Sequence, residues 1–285
     1  MKLCLSCDAR FESAGWRCPE CGWEPAAGQY LRFVDAADPS FPGESFDLLP
    51  ELEEQSFWFR SRNDLIAWAL RAHFPSAASL LEVGCGTGFV LAALHARFPG
   101  IRLAGGELSA AGIDVARARV PDVPVYQVDA RRLPFEREFD VVAAFDVLEH
   151  VDDDERVLSE MARVAKSSGG VLVSVPQHPW LWSQVDDFSG HVRRYTRREL
   201  LGKLERAGLR AVRTTSFVSL LLPVIAASRL VRRGQAGPYD PRAEYSLPPG
   251  VDTLFEYVMR LERALIERRV SFPVGSSLLA VATRA

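Results

Sequence analysis

Apolar residues between positions 78 and 285 gather in short runs that alternate with longer polar or amphipathic stretches. Runs of this length predict β-strands, and the stretches between them predict helices. The first four runs each lead to an acidic residue, which a parallel sheet would bring to one edge. The pattern therefore predicts an α/β fold, a doubly wound sheet with helices on both faces. Its predicted strands cover residues 80–83, 101–107, 123–128, 137–146, 169–176, 209–217 and 276–284.

One further helix is predicted ahead of the sheet, from about Glu51 to Phe74, because apolar residues such as Leu65 and Trp68 recur at helical spacing. Residues 57–59 read Phe-Trp-Phe. They either pack this helix onto the following domain or form an aromatic lid over a ligand pocket.

Composition narrows the class of protein. The 285 residues are 48% hydrophobic and 25% charged, with a formal net charge of −3 and a pI near 6.0. These values exclude a disordered chain and a strongly basic nucleic-acid binder. The start of the chain has no apolar run of signal-peptide length, so a cytoplasmic protein is expected. Acidic residues and prolines at 35–54, without Lys or Arg, predict an exposed linker.

Four of the five cysteines, Cys4, Cys7, Cys18 and Cys21, form two CxxC pairs near the start of the chain. Each pair can direct two thiolates from one turn to the same ion, and four sulfurs complete a tetrahedron around zinc. Such a closed site is structural. Residues 1–30 are therefore predicted to form a module similar to a zinc ribbon; the alternative is a reactive CxxC redox pair.

A glycine-rich turn follows the first strand of the sheet. Gly84, Gly86 and Gly88 let the backbone turn sharply and approach a ligand, and Cys85 is a small residue between two of them. Glu82 stands two residues before the turn. The strand that follows ends on Glu107, which can accept both hydroxyls of a ribose, and the third leads to Asp129, which can accept from an adenine amino group. Taken singly, each of these acidic residues could also be an ordinary polar residue at the end of a strand, without a role in binding.

This succession resembles the class I S-adenosylmethionine-dependent methyltransferases over residues 78–285, of the ubiquinone-type O-methyltransferase kind. The resemblance implies a Rossmann-like seven-stranded sheet whose last strand runs antiparallel between the fifth and sixth. The GxGxG spacing argues against the alternative of an NAD enzyme. Residues 31–77 would be a linker and helical cap, and residues 218–272 a helical insertion. The implied cofactor contacts are Glu82, Gly84, Cys85, Gly86, Gly88, Glu107, Leu108, Asp129, Ala130 and Asp146.

The segment Asp-Val-Leu-Glu-His at 146–150 is similar to a sequence that ubiquinone-type O-methyltransferases associate with a divalent metal. Carried over, Asp146, Glu149 and His150 would form a magnesium site that orients a hydroxyl acceptor. This chain has Asp where those enzymes have Glu at the first position. The alternative is that Glu149 and His150 only shape the loop before the next helix.

Three histidines, His150, His178 and His191, are the candidate catalytic residues, because the topology places their loops on the same sheet edge as the cofactor. A structural hydrogen-bonding role is the alternative for His191. The nearby arginines, Arg193, Arg194, Arg197 and Arg198, would either engage an anionic substrate or form a solvated helix start. The second reading is supported by Thr196 and Glu199, which match a capping box.

An apolar stretch at 217–227, interrupted by Pro223, is too short to span a bilayer. It would either lie at the inner face of a membrane or line a pocket for a lipid-like acceptor, or else it would cover the sheet or the partner subunit of a homodimer.

The function expected from these observations is methyl transfer to a small-molecule, lipid-linked or glycan-linked acceptor, with O-methylation favoured. One alternative is an RNA methyltransferase that recognises RNA through the zinc module, although the acidic residues of that module argue against nucleic acid. The other alternative is a cofactor-binding scaffold without catalysis.

Overall fold

A computed structural model describes residues 1–34, 45–232, 242 and 247–284. Its main feature is a seven-stranded sheet with the order β5-β4-β3-β6-β7-β9-β8. Strand β9 runs antiparallel to β7 and β8, and the other neighbouring pairs are parallel. This confirms the predicted sheet and its late antiparallel strand. The strands are β1 (Lys2–Leu3), β2 (Arg10–Phe11), β3 (Ser79–Val83), β4 (Arg102–Glu107), β5 (Val125–Gln127), β6 (Phe139–Phe145), β7 (Ala165–Pro176), β8 (Leu209–Phe217) and β9 (Ser277–Arg284).

Helices cover both faces of the sheet because strand side chains alternate between two cores. On β3, Leu81 belongs to the core that contains α5 and α7, whereas Leu80 belongs to the core that contains α2, α3, α4 and α9. Both side chains are fully buried. The helices are α1 (Ser45–Gln55), α2 (Phe57–His73), α3 (Phe89–Arg97), α4 (Ala110–Arg119), α5 (Asp154–Val164), α6 (Gln184–Phe188), α7 (Arg197–Arg206), α8 (Leu222–Arg232) and α9 (Pro249–Glu267).

The region before the sheet differs from its prediction. The single helix expected from Glu51 to Phe74 is two helices, α1 and α2, because Ser56 leaves the helical conformation and its hydroxyl accepts the Trp58 amide. The second half of the expected linker is part of α1, where Leu52 and Glu53 are buried. Residues 35–44 of that linker lie outside the described residues.

Other boundaries shift less. Pro223 is the second residue of α8 and does not interrupt a helix. This position suits proline, because the first turn of a helix does not need its amide protons for internal hydrogen bonds. The capping box of Thr196 and Glu199 is present at the start of α7 and confirms the prediction. Within the described residues, no helix combines the length and apolar character needed to cross a bilayer.

The N-terminal module lies against one edge of the sheet. Strands β1 and β2 form a short antiparallel pair. Residues 31–33 then run beside β5, where Phe33 donates its amide to Gln127 and Gln127 donates its own to Leu31, both at 2.9 Å. The segment that follows the module therefore extends the sheet beyond β5 by one isolated parallel bridge, between Arg32 and Gln127.

Candidate active site

A cavity of about 810 Å³ opens where β3, β4, β6 and β7 reach their carboxyl ends. Nine of the ten predicted cofactor residues line it. The tenth, Gly88, caps the start of α3 and has a φ of 73°, and a Cβ there would lie 3.0 Å from the Cβ of Ala116. Gly88 thus serves helix packing instead of direct contact with the cavity.

The glycine loop holds a backbone shape that other residues rarely adopt. Gly84 and Gly86 have φ values of 68° and 52°. A Cβ on Gly84 would come within 2.5 Å of the Val147 side chain, whereas one on Gly86 would meet no atom within 4 Å. Open space beside Gly86 therefore lets a ligand approach the backbone closely.

Glu107 joins this loop to the start of α4. Its Oε2 accepts the Gly86 amide at 2.8 Å, and its Oε1 accepts the amides of Leu108 and Ser109, each also at 2.8 Å. These contacts fix the carboxylate at the end of β4 before any ligand binds. A fixed acceptor at a strand end suits the two hydroxyls of a ribose.

The other predicted acids at this end differ in charge state. Burial works against ionisation of Asp129, but hydrogen bonds from Arg131 outweigh it and lower the pKa of Asp129. Burial raises the pKa of Glu82 to about 8, against the opposing charge of Arg62. Glu82 is only 2% exposed, and its Oε2 has no hydrogen-bond partner among the described residues. Of these two carboxyl groups, Asp129 is therefore ionised and Glu82 mostly protonated at neutral pH.

A buried arginine, which the sequence analysis missed, links the two ends of the cavity. Arg62 projects from α2 and is 8% exposed. Its guanidinium donates to Asp146 at 2.6 Å and lies 4.7 Å from the Trp58 ring centre. Ser174 donates to the same carboxylate at 3.2 Å. The sequence signal available for Arg62 was a basic residue shortly after the aromatic residues at 57–59.

The opposite end of the cavity is polar. His191 lines it, and its Nδ1 lies 2.8 Å from Asp186, a residue that the sequence analysis did not single out. Burial works to raise the pKa of Asp186, but the hydrogen bond from His191 and the charge of Arg194 lower it to about 2. Because an ionised carboxylate can only accept, Nδ1 carries a proton, and in the neutral ring this tautomer leaves the lone pair on Nε2.

The predicted magnesium ligands are arranged differently from expectation. Glu149 and His150 come together with His191, and the possible ligand atoms of the three lie within 4.8 Å of one another. Asp146 is instead engaged by Arg62. Both oxygens of the fully buried Glu149 have no hydrogen-bond partner among the described residues. Two imidazoles and one carboxylate suit a transition metal better than magnesium, which prefers oxygen ligands.

The remaining candidates, apart from Arg194, are not among the described residues that line the cavity. His178 is not among the described residues that line the cavity; burial and then the charge of Arg194 lower its pKa. Arg193 donates to the Val151 carbonyl at 2.8 Å, and Arg197 donates to the Thr214 carbonyl at 2.7 Å. Neither is a solvated helix start, because both side chains bind backbone carbonyls.

The aromatic residues at 57–59 line the cavity, as the lid interpretation expected, and also pack against neighbouring helices. Phe57 stacks edge-on against Phe255 of α9 at 5.3 Å, and its amide donates to Asp252 at 2.7 Å. Arg60 binds Asp252 and Glu256 at 2.5 and 2.8 Å. Helix α9 thus closes over α2 and shields this side of the cavity.

The four N-terminal cysteines fit one zinc ion. Their sulfurs all lie within 4.8 Å of one another, with Cys4 to Cys21 at 3.6 Å and Cys7 to Cys18 at 3.7 Å. A tetrahedral zinc site with bonds of about 2.3 Å places its sulfurs roughly 3.8 Å apart. The spacing therefore fits a closed structural zinc site.

Comparison with known proteins agrees with this geometry. A family model described as a methyltransferase domain matches residues 81–173. A probable S-adenosylmethionine-dependent methyltransferase of Mycolicibacterium smegmatis is 34% identical over 167 residues, which are 56% of this chain and 62% of that protein. The dTDP-4-amino-2,3,4,6-tetradeoxy-D-glucose N,N-dimethyltransferase of Saccharopolyspora spinosa is 40% identical over 113 residues, or 38% of this chain and 43% of that protein. The chain thus matches less than two thirds of the length of these relatives.

Among solved structures, the geranyl diphosphate C-methyltransferase of Streptomyces coelicolor A3(2) superposes with a TM-score of 0.53 at 22% identity, over 87% of this chain and 86% of that one. The superposition shows that the chain has the class I methyltransferase fold. Residues 81–173 match a methyltransferase domain, and over this part of the chain the relatives named above include a probable S-adenosylmethionine-dependent methyltransferase.

Proposed function

We propose that this protein transfers a methyl group from S-adenosylmethionine to a hydroxyl oxygen of a small-molecule, lipid-linked or glycan-linked acceptor. One observation carries the proposal. A single cavity joins the glycine loop and Glu107 at one end to the His191–Asp186 pair at the other. The first end suits the cofactor, and the second suits a nucleophile that must lose a proton.

The bound cofactor supplies a methyl group already activated by the sulfonium, so the protein must position the acceptor and handle its proton. Glu107 would hold the ribose, and Asp129, Leu108 and Ala130 would surround the adenine. His191 accepts the acceptor proton at Nε2. Asp186 keeps the ring oriented and stabilises the positive charge that the imidazole gains.

The cavity wall that belongs to the helical insertion supports this class of acceptor. Val224 and Ile225 of α8 and Val251 and Phe255 of α9 line the cavity. These apolar side chains suit an acceptor with a hydrocarbon portion whose polar end reaches His191. The relatives named above act on a sugar nucleotide and on geranyl diphosphate, which supports a small acceptor instead of RNA.

A second role for the polar end is favoured by the convergence of Glu149, His150 and His191. These donors suit a divalent transition metal, with Asp186 orienting His191 from behind. His191 would then be a ligand instead of a base. Metal analysis of the purified protein separates the roles: a second equivalent besides zinc, lost in Glu149→Gln, supports the metal, and a single equivalent supports the base.

Calorimetry with S-adenosylhomocysteine tests the proposed function directly. The wild-type chain should bind one equivalent, and Glu107→Ala should weaken binding roughly 100-fold because two charge-assisted hydrogen bonds are lost. Glu205→Ala, which removes an exposed carboxylate on α7, is the matched control and should bind normally. Absence of binding by the wild-type chain would contradict the proposal. Binding without methyl transfer to any acceptor tried would favour the scaffold alternative.

A further inference from the structure

The N-terminal module is in direct contact with the loop that carries Asp129. Strand β1 lies beside residues 134–136: Leu3 donates its amide to the Pro134 carbonyl, and Glu136 donates its own to Met1, each at 3.0 Å. An antiparallel bridge between Lys2 and Phe135 continues this pairing. The loop from Asp129 to Glu136 therefore has the module as its outer wall.

A second contact starts at the cysteine cluster itself. Asp8 follows Cys7 directly, has a φ of 60°, and donates its amide to the Cys4 carbonyl at 3.0 Å. Arg132 of the loop donates to the Asp8 carboxylate at 2.9 Å. The position of Asp8 thus depends on the turn that holds two of the cysteines.

A third contact is aromatic. The Trp16 ring of the module lies 4.7 Å from Phe33, 5.6 Å from Phe135 and 6.0 Å from Tyr126, all edge-on. Tyr126 belongs to β5, and the Gln127 side chain beside it donates to the Leu108 carbonyl at 2.9 Å. Contacts therefore lead from the module to both residues that flank the adenine end, Leu108 and Asp129.

The module has little to hold its shape apart from its cysteines. Its own buried cluster is Cys4, Ala9, Phe11 and Cys18, and its two strands have two residues each. A segment of this size depends on its metal for a defined fold. Loss of the metal would therefore release the wall of the loop.

We propose that the zinc-filled module positions the loop 129–136 for adenine, so that zinc and the cofactor each strengthen binding of the other. The inference rests on the proposed function, because it assigns the adenine to this loop. The coupling is reciprocal by thermodynamic necessity: if zinc raises the affinity for the cofactor by some factor, the cofactor raises the affinity for zinc by the same factor. It is also local, because none of these contacts involves the glycine loop from Gly84 to Gly88, which would hold the methionine part of the cofactor.

Release of zinc from the intact protein to a chromogenic chelator tests the coupling without need for turnover. S-adenosylhomocysteine should slow release on the order of tenfold, within the usual range of coupling between two sites. Adenosine at saturation should slow it as well, and methionine should not. The inference is wrong if neither S-adenosylhomocysteine nor adenosine slows the release of zinc. It is also wrong if methionine slows the release as much as they do.

The variant Arg132→Ala removes one link between the loop and the cysteine turn without touching a zinc ligand. Protection of zinc by S-adenosylhomocysteine should fall several-fold in this variant. Arg17→Ala, which removes an exposed cation elsewhere on the module, should retain full protection. Unchanged protection in Arg132→Ala would overturn the role given to this contact.

Failure of the inference and failure of the proposed function give different results. If S-adenosylhomocysteine binds in a Glu107-dependent way while zinc release stays constant, only the coupling is wrong. If it does not bind at all, the proposed function itself is wrong.

Discussion

The two ends of the cavity are built in different ways. At the cofactor end, Glu82, Glu107 and Asp129 stand at or just beyond the ends of consecutive parallel strands, and the glycine loop turns between two of them. At the acceptor end, His191 comes from a loop, and its partner Asp186 lies in the short helix α6. The first end is fixed by the sheet, whereas the second depends on segments that the sheet only supports. Changes at the two ends should therefore have separable effects.

The largest effect is expected at the acceptor end. His191→Gln should lower turnover roughly 100- to 10,000-fold because the proton acceptor is lost. Asp186→Asn should lower it less, because the histidine remains but its tautomer is no longer fixed. Neither change should alter the affinity for S-adenosylhomocysteine. Turnover with an identified acceptor, measured beside calorimetry, separates the two ends; a parallel loss of cofactor affinity would show that they act as one unit.

The matched control for this prediction is His178→Gln. His178 lies on the same segment of chain but is absent from the described lining of the cavity. Turnover close to that of the wild-type chain is expected, and a loss as large as that of His191→Gln would move the proton acceptor to His178.

At the cofactor end, Glu82 should make stability depend on pH. Its folded pKa of about 8 is raised above the usual 4.5, so its contribution is complete below pH 4.5 and is lost as pH rises through 8. The free energy of unfolding should fall by about 1.4 kcal/mol for each pH unit between these limits from this group alone. Denaturant unfolding from pH 5 to 9 measures the slope, which Glu82→Gln should flatten.

Glu149 needs a parallel measurement, because burial and then the charge of Asp146 raise its pKa well above the usual range. Glu149→Gln should also flatten the dependence of the free energy of unfolding on pH, over a part of the range separate from that of Glu82. An unchanged slope in Glu82→Gln would place the titrating group at the acceptor end.

More residues of the cofactor end than of the acceptor end could be predicted from the sequence, and the reason is physical. The positions of Glu107 and Asp129 follow from strand periodicity, because parallel strands must end at one edge. Asp186 and Arg62 could not be found in this way, because each pairs with a residue on another element, His191 and Asp146. Such pairs depend on how a loop or a helix packs, which a single sequence does not display.

The same limit explains the region before the sheet. Apolar spacing indicated a helix there, and α2 confirms it. The two helices are separated at Ser56, whose hydroxyl caps the start of α2. The apolar pattern continues across this residue and therefore does not reveal the break. The burial of Glu53 follows only from its contacts with Thr87 and Arg119, which lie far away in the sequence.

Variants of the Arg62–Asp146 ion pair test whether this pair connects the two ends of the cavity. Arg62→Met keeps an apolar stem on the Trp58 ring but removes the charge next to Asp146. A double-mutant cycle with Asp146→Asn should give a coupling of about 2 kcal/mol in the free energy of unfolding, since the pair is largely buried. Coupling near zero would mean that the two ends are held independently by their own elements.

The smallest effect is expected outside both ends, at Thr196. Its hydroxyl accepts the Glu199 amide at 3.2 Å at the start of α7, a contact predicted from the sequence. Thr196→Ala should lower the free energy of unfolding by about 1 kcal/mol, the usual cost of losing a helix cap. Thr196→Ser keeps the hydroxyl and should restore most of it. Cofactor affinity should be unchanged in both, because the start of α7 does not line the cavity; a change in affinity would show that the start of α7 also supports the cofactor end.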